Sequence, residues 1–244
     1  MTLNILLYTF GLFVVLYTLG TVLCLKLYHW NIKRFFASTL WTKIYYWIPI
    51  FACFLLVLYL QLWAAAAVLV FIVGCSLREL FRITPKRWFA FAYTLFICIA
   101  SAHVLLYFPT FSSGQAAITL LIVGFSSVMS DVCAYFLGSF SGRFKLPQWI
   151  NNSKSWDGVF GQVAGAILGF YLITLPISPA PPFSLALIIG VSSAIGDLTN
   201  SIVKRRLGIK DWGNTIPGHG GVLDRFASLS LAIAATYWWV VITT

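Results

Sequence analysis

The chain has 244 residues, of which 60% are hydrophobic and only 9% are charged, and its mean hydropathy is +0.91. Soluble globular domains are roughly 45 to 50% apolar, so the composition excludes an ordinary soluble domain and indicates a membrane protein with several spans. The formal net charge of +10 does not require a nucleic-acid partner, because membrane topology and attraction to anionic headgroups account for it. We therefore expect membrane lipids, and no nucleic acid, as partners.

Eight apolar segments follow one another along the chain. A helix needs about 20 apolar residues to cross a hydrocarbon core of about 30 Å. Candidate segments lie near residues 3–25, 44–60, 62–77, 88–108, 116–139, 158–175, 183–203 and 226–242. The second and third are short and only Gln61 separates them, so one re-entrant pair is the alternative. The predicted fold class is all-α, a polytopic transmembrane helical protein with about eight spans.

These segments are expected to form one integral membrane unit. We predict an N-terminal transmembrane region at 1–115 and a C-terminal transmembrane catalytic region, with cytoplasmic loops, at 116–244. With eight spans, all sixteen Lys and Arg residues lie on one face, which the positive-inside rule makes cytoplasmic. The connections on the other face, at 108–115 and 176–182, carry no charged residue. We expect a bacterial plasma membrane protein with both termini outside and an active site that faces the cytoplasm.

Carboxylates are scarce, and two of the six lie deep inside predicted spans. Asp131 falls in the fifth segment and Asp197 in the seventh. An aspartate at the centre of a spanning helix costs about 2.5 to 3.5 kcal/mol on insertion scales, so it usually faces a cavity, an ion or a partner. The alternative is that each aspartate only pairs with a nearby Lys or Arg, which neutralises it in the bilayer.

Helical spacing places further polar groups beside these two aspartates. Four and seven residues after Asp197 stand Ser201 and Lys204, so an acid, a hydroxyl and an amine share one stripe that leads to the cytoplasmic surface. The same steps from Asp131 reach Tyr135 and then a glycine, which leaves a gap where another backbone or a ligand can come close.

The segment between the last two spans combines glycines, bases and acids. In IPGHGGVLDR, residues 216–225, three glycines allow backbone N–H groups to turn toward an anion. The basic residues around this loop are Lys204, Arg205, Arg206, Lys210 and Arg225. Asp197 and Asp224 would repel a phosphate unless a cation lay between them, and hard oxygen ligands beside phosphate oxygens are the usual surroundings of Mg²⁺. The pattern predicts metal-assisted chemistry on a phosphorylated substrate. An ordinary positive-inside loop would require neither the glycines nor the acids.

The same segment resembles the C-terminal signature of CDP-diacylglycerol synthases (phosphatidate cytidylyltransferases). The residues that carry the resemblance, in order and spacing, are Ser201, Lys204, Arg205, Lys210, Asp211, Pro217, His219, Gly220, Gly221, Asp224 and Arg225. A second matching region comprises Asp131, 134–136, Gly138, Gly142, Lys145, Leu146, Lys154, Trp156 and Gly158, and a third is 196–198. The resemblance covers residues 125–228, and in the first half of the chain only Glu79 adds a weak match.

The chain departs from the family pattern at a few positions. Ala227 stands where the family has a final acid, and Asp157 stands where the family usually has glutamate. Asn152 and Ser153 replace a proline and a lysine. Because these changes remove an acid and a base near the site, they bear on the identity of the acceptor more than on the phosphate chemistry.

The resemblance implies an integral membrane cytidylyltransferase of phospholipid biosynthesis. It implies transfer of CMP from CTP to phosphatidic acid, which gives CDP-diacylglycerol and pyrophosphate. It also implies Mg²⁺ held by Asp197 and Asp224, with a second cation such as K⁺ close by. A homodimer is the assembly expected from the family.

Roles for the site residues are implied by the same resemblance. The expected catalytic residues are Asp197, Asp224, Lys204, Arg225 and His219. The expected binding residues are Ser201, Arg205, Lys210, Gly220, Gly221, Asp131, Tyr135, Lys145 and Lys154. In this assignment the bases neutralise the CTP phosphates or the departing pyrophosphate, and the loop N–H groups assist. His219 would donate to a phosphate oxygen, whereas the last four binding residues would face the second substrate or the cytidine.

Other functions stay open at this stage. A related CTP-dependent enzyme could act on another lipid phosphate or on a lipid alcohol such as a polyprenol, and a kinase would leave CDP rather than pyrophosphate. Acids inside the membrane could instead line the cation path of a transporter, although no paired broken helices are visible. Ala227 and the altered 151–155 segment would also suit a non-catalytic scaffold.

Overall fold

The structure is a computed structural model, and it describes residues 2–82, 87–141, 144–147, 149–150, 154–216 and 220–243. Over these residues the chain forms nine α helices and no strand. In chain order they are α1 (Leu3–Leu27), α2 (Ile32–Phe36), α3 (Thr39–Leu60), α4 (Leu62–Phe81), α5 (Arg87–Thr110), α6 (Ser113–Ser141), α7 (Trp156–Thr174), α8 (Phe183–Leu207) and α9 (Val222–Thr243). All except the five-residue α2 have the length and apolar composition to cross a membrane. The predicted all-α class and the count of eight spans are confirmed.

Helices α3 and α4 are two full-length spans rather than a re-entrant pair. They contain 22 and 20 residues, and a helix of that size is about 30 Å long, which matches the hydrocarbon thickness. Gln61 alone joins them, with a φ of 52°, and the two helices pack against each other. The interpretation as two separate spans is therefore the one that the structure supports.

The last two helices extend beyond the apolar segments that hydropathy predicted. Helix α8 continues to Leu207, past the predicted end at 203, and stops at Gly208, whose φ is 72°. Helix α9 begins at Val222 rather than at 226. Hydropathy marks the part of a helix that lies in hydrocarbon, whereas backbone hydrogen bonds and caps decide where the helix ends. Polar helical turns therefore project beyond the apolar core at this end of the bundle.

Helix α6 is the most buried of the eight long helices, and α7 approaches it closely. A Cβ atom on Gly165 of α7 would lie 2.5 Å from the Met129 carbonyl oxygen and 2.6 Å from the Cys133 Cβ on α6. Small residues of this kind allow close packing between transmembrane helices, and interhelical hydrogen bonds add to it. The hydroxyls of Ser127 on α6 and Ser193 on α8 provide such a bond, at 3.2 Å. Helix α8 also packs on α7 and α9, and α5 packs on α9.

Helices α1 and α3 lie at the periphery and present apolar side chains outward. Few residues of either helix are buried within the bundle, and Leu7 on α1 is 60% exposed. Trp63 at the start of α4 is 83% exposed. Apolar surface on this scale is unfavourable in water and is typical of contact with lipid. The chain is therefore an integral membrane protein.

One end of the bundle, which we call the site end, contains the end of α4, the connection between α8 and α9 and the segment before α7. Glu79, near the end of α4, accepts a hydrogen bond from Thr215 in the connection between α8 and α9. Lys154, just before α7, reaches Asp197 on α8. Helices α4 and α5 also pack against α9, so residues from both sides of position 115 surround the site. The division into two regions at that position stays a prediction.

Candidate active site

Asp197 lies on α8 and is held by two side chains from outside that helix. Lys154 forms an ion pair with its Oδ2 atom at 2.5 Å, and the amide of Gln162 on α7 donates to the same oxygen at 2.9 Å. The ten residues that follow Asp197 in α8 correspond to about 15 Å along the helix axis. The carboxylate is therefore set well back from the helix end, and Lys154 and Gln162 both reach it there.

Local backbone structure positions Lys154. Its carbonyl oxygen accepts the N–H of Leu146 at 2.9 Å, which ties it to the segment that follows α6. The next residue, Ser155, caps α7 because its hydroxyl accepts the N–H of Gly158 at 3.2 Å. Lys154 thus stands at the entry to α7 with its amine directed to α8.

Asp131 on α6 belongs to the same cluster. Its carboxylate lies close to Gln162 and within electrostatic range of Asp197, Lys154 and Arg225. We call these five residues the Asp197 group. Two aspartates that the sequence placed in separate spans are therefore neighbours, and two bases, Lys154 before α7 and Arg225 on α9, balance their charge.

Asp224 on α9 forms a second cluster. Its Oδ1 accepts from the Lys204 amine at 2.6 Å, and its Oδ2 accepts the N–H groups of Trp212 and Gly221 at 2.9 Å each. The side chain is only 3% exposed. Because Asp224 is the third residue of α9 and bonds the N–H just before the helix, it acts as half of a capping box.

Glu79 of α4 is fully buried beside Asp224 and was not predicted as a site residue. Its two carboxylate oxygens accept the Thr215 hydroxyl at 2.6 Å, the Val222 N–H at 2.7 Å and the Leu223 N–H at 3.2 Å. Two of the unpaired N–H groups at the start of α9 thus bond a carboxylate, which the helix dipole also favours. We call Glu79, Lys204, Trp212, Gly221 and Asp224 the Asp224 group.

In the described part of the glycine loop, the backbone N–H groups turn toward an anion, but that anion is not the predicted phosphate. Gly220 has a φ of 87°, and a Cβ on Gly221 would lie 2.6 Å from Glu79 Oε2, so both positions require glycine. We predicted that the loop N–H groups turn toward a phosphate. Those of Gly221, Val222 and Leu223 instead donate to the carboxylates of Asp224 and Glu79.

An aromatic pair adjoins the Asp224 group. The indole N–H of Trp212 donates to the Asn200 side chain at 2.7 Å. The Trp212 ring stacks on Tyr93 of α5, with ring centroids 5.6 Å apart and an angle of 9° between the planes. Trp212, Asn200 and Tyr93 were not predicted as site residues.

The predicted site residues divide according to their placement. The residues that the structure brings into the two groups are Asp131, Lys154, Asp197, Lys204, Gly221, Asp224 and Arg225. Ser201 is buried on α8, one turn after Asp197. The residues whose side chains are exposed and that belong to neither group are Tyr135, Lys145, Arg205 and Lys210. His219 and the family departures Asn152 and Ser153 lie outside the described residues.

Sequence signals could have revealed two of the missed residues. Glu79 is the only carboxylate among the first 130 residues and lies in an apolar run. Gln162 is an amide within the sixth apolar segment. A polar side chain inside a span indicates a function or a specific partner. Trp212 and Tyr93 carry no such signal, because aromatic residues are common throughout this chain.

The donor chemistry of the site fits a hard divalent cation. Asp197 and Asp224 supply carboxylate oxygens, and both are paired with lysines. Within the described ranges, no group of three or more His, Cys, Asp or Glu side chains is arranged to hold a metal ion. Mg²⁺ is commonly bound by one or two carboxylates, with water and substrate phosphates as the other ligands. The two aspartates therefore fit a site that the substrate completes.

In comparisons with known proteins, the family model and the relatives described below are all cytidylyltransferases. Residues 91–243 match the sequence model of the cytidylyltransferase family. A phosphatidate cytidylyltransferase of Pseudomonas aeruginosa is 35% identical over 204 residues, which cover 79% of this chain and 72% of that protein. The phosphatidate cytidylyltransferase of Brucella suis biovar 1 is 40% identical over 123 residues, or 49% of this chain and 46% of that protein.

A third relative matches about half of the chain. The phosphatidate cytidylyltransferase of Synechocystis sp. is 35% identical over 140 residues, or 55% of this chain and 45% of that protein. The chain thus spans about half the length of the Brucella and Synechocystis proteins. The Pseudomonas match is longer than these two and includes part of the chain before residue 91, since it covers more residues than the family match.

Proposed function

Since the chain belongs to the cytidylyltransferase family, we propose that it transfers CMP from CTP to phosphatidic acid, with CDP-diacylglycerol and pyrophosphate as products. The observation that carries this proposal is the convergence of Asp131, Asp197 and Asp224 with Lys154, Lys204 and Arg225 at one end of an apolar bundle. Such a mixture of acids and bases suits two polyanionic substrates and the cation that accompanies them.

In the proposed reaction an oxygen of the lipid phosphate attacks the α-phosphorus of CTP. The new P–O bond forms as the bond from the α-phosphorus to the oxygen that bridges to the β-phosphorus breaks, and that electron pair leaves with pyrophosphate. The lipid phosphate is already anionic, so the reaction needs no strong base. The protein has to bring two anions together, neutralise them and align the attack.

Lys154, Lys204 and Arg225 are the proposed phosphate-neutralising groups. The two lysines form ion pairs with acids of the site, and Arg225 lies within electrostatic range of Asp131. Each can turn to a phosphate oxygen when the substrates bind. Asp197 and Asp224 are the proposed ligands of Mg²⁺, with a second cation such as K⁺ as part of the same proposal. When bound, these cations supply further charge neutralisation at the phosphates.

The site end is proposed to face the cytoplasm of a bacterial plasma membrane. The positive-inside rule supports this orientation, since the basic residues follow alternate spans. The acyl chains would stay among the lipid-facing spans while the headgroup reaches the two aspartates. A homodimer, as the resemblance implies, belongs to the proposal as well.

A second candidate is transfer to another lipid phosphate, such as a polyprenyl phosphate. The observation that favours it is Ala227, which stands where the CDP-diacylglycerol synthase pattern has an acid. Ala227 is 1% exposed and packs in an apolar cluster with Leu80, Val203 and Leu223. An apolar surface in place of an acid beside the site would change the recognition of the acceptor.

The test is an assay of the purified, detergent-solubilised full chain. Labelled CTP, Mg²⁺ and phosphatidic acid are supplied, and both pyrophosphate and a lipid-soluble cytidine product are measured. We expect both products in equal amounts, and only when Mg²⁺ is present. A parallel series replaces phosphatidic acid with polyprenyl phosphate and with diacylglycerol.

Each outcome selects one function. A cytidine-labelled polyprenyl product with no product from phosphatidic acid would favour the second candidate. CDP with a phosphorylated lipid would show a kinase. If no acceptor reacts while a related cytidylyltransferase is active in the same assay, the enzymatic proposal fails, and cation flux through liposomes becomes the next measurement.

A further inference from the structure

Tyr93 has a buried hydroxyl that lacks a hydrogen-bond partner among the described residues. The residue lies near the site end of α5 and is 6% exposed. Both the Asp197 and the Asp224 carboxylates lie within electrostatic range of its hydroxyl. The Tyr93 hydroxyl thus lies near one carboxylate of the Asp197 group and one of the Asp224 group.

An unpaired buried hydroxyl is unfavourable and needs a reason. Tyr107, on the same helix, has no such defect, because its hydroxyl donates to the Ile233 carbonyl at 3.0 Å. Other unpaired hydroxyls, such as that of Thr94, are short and can turn to a carbonyl of their own helix. A phenol oxygen lies too far from its own backbone to do so. Tyr93 therefore requires a partner that is not part of the described chain.

The partners of the nearby acids explain why neither takes this hydroxyl. Asp224 accepts from Lys204 and from two backbone N–H groups, and Asp197 accepts from Lys154 and Gln162. Both carboxylates are engaged by other donors. The Tyr93 O–H remains available beside them.

The ring of Tyr93 is held in place by the Asp224 group. It stacks on Trp212, whose backbone N–H donates to Asp224 and whose indole N–H donates to Asn200. A hydroxyl whose ring is fixed in this way needs little rearrangement when a ligand arrives. A neutral donor also suits an anion that must approach carboxylates, because it adds no negative charge.

We infer that Tyr93 is a further substrate-contacting residue, whose hydroxyl donates a hydrogen bond to a phosphate oxygen bound between Asp197 and Asp224. The inference rests on the proposed function. The phosphate oxygen can belong to the triphosphate of CTP or to the headgroup of phosphatidic acid. The chemistry of the hydrogen bond is the same in both cases, and kinetic measurements distinguish them.

The experiment compares Tyr93→Phe with Tyr107→Phe in the purified full chain. Tyr93→Phe retains the ring and its stacking on Trp212 and removes only the O–H group. Tyr107→Phe removes a buried hydroxyl of the same helix that bonds the backbone of α9, and it serves as the matched control. For each variant kcat, the KM for CTP, the KM for phosphatidic acid and the midpoint of thermal unfolding are measured.

We expect Tyr93→Phe to lower kcat/KM by about 10- to 100-fold, the usual effect of losing a hydrogen bond to a charged group. A rise in the KM for CTP alone assigns the hydroxyl to the triphosphate, and a rise in the KM for phosphatidic acid alone assigns it to the lipid. A fall in kcat with both KM values unchanged and an unaltered unfolding midpoint assigns it to the transition state. Tyr107→Phe should change kcat/KM by less than about threefold and should lower the midpoint.

Two results would overturn the inference and leave the proposed function intact. One is a Tyr93→Phe enzyme with wild-type kcat and both KM values. The other is a loss of kcat that only parallels a lower unfolding midpoint, with unchanged KM values, as a purely structural role requires. If the wild-type protein forms no CDP-lipid from any acceptor, the proposed function and the inference fail together.

Discussion

The Asp224 carboxylate has two kinds of partner, and a single substitution can separate their effects. An asparagine at this position retains an oxygen that can accept a backbone N–H from Trp212 or Gly221, but it loses the charge that faces Lys204. We expect Asp224→Asn to lower CMP transfer by at least about a hundredfold. Mutating a residue that only hydrogen-bonds a metal ligand already lowers metal affinity or activity by about 10- to 100-fold, and Asp224 is proposed as a ligand itself. Membrane insertion and a cooperative unfolding transition should be retained. Substantial activity in the purified variant would contradict the assignment of Asp224 as a metal ligand.

Substitution of the neighbouring Glu79, in contrast, should mainly lower the stability of the fold. It accepts three hydrogen bonds from Thr215 and the start of α9, and a glutamine there would place an NH₂ group against another donor. We expect Glu79→Gln to lower the free energy of unfolding by about 1.5 to 3 kcal/mol, as measured by denaturant unfolding in detergent. Thr215→Val, which removes one of the three bonds, is the matched control and should cost about 1 kcal/mol. Wild-type stability of Glu79→Gln would show that the buried carboxylate does not hold the start of α9.

At the scale of helices, the contact between α6 and α7 controls the alignment of the Asp197 group. Asp131 lies on α6 and Gln162 on α7, while Gly165 allows the two backbones to approach. An alanine at Gly165 would force the helices apart, and such overpacking usually costs about 1 to 3 kcal/mol. We expect Gly165→Ala to lower both the unfolding midpoint and the transfer activity.

A second glycine provides the control for this helix-scale prediction. A Cβ on Gly74 of α4 would meet no atom within 4 Å. Gly74→Ala should therefore be neutral or stabilise the protein by up to about 1 kcal/mol through helix propensity. Equal stability of the two alanine variants would show that the distance between α6 and α7 is not limited at Gly165.

At the scale of the whole molecule, the arrangement of charges predicts the orientation in the membrane. Lys33 lies in the first basic connection and Ser178 in the connection between α7 and α8, and both are exposed. In a variant without the five native cysteines, we expect Ser178→Cys to react with a membrane-impermeant maleimide on intact cells. Lys33→Cys should react only after permeabilisation, because basic connections stay cytoplasmic. The reverse labelling pattern would place the site end outside.

Much of the fold and part of the site could be predicted from the sequence, because the free energies that reveal them arise within a single helix. A span is recognised by its own apolar length, and the aspartates at 131 and 197 stood out because each is costly within its own helix. The re-entrant alternative at Gln61 was left open, since hydropathy does not report where helical hydrogen bonding continues. The helix ends at Leu207 and Val222 were missed for the same reason.

The sequence by itself thus determined the all-α class, a count of about eight spans and the acidic and basic residues around which the site forms. Only the tertiary structure decided which of them meet: Lys154 with Asp197, Lys204 with Asp224, and Glu79 with the start of α9. Partners so far apart in the chain come together through helix packing, which depends on close contacts such as that at Gly165. Periodicity reports the faces of one helix, whereas the contacts of a face depend on the shape of every helix around it.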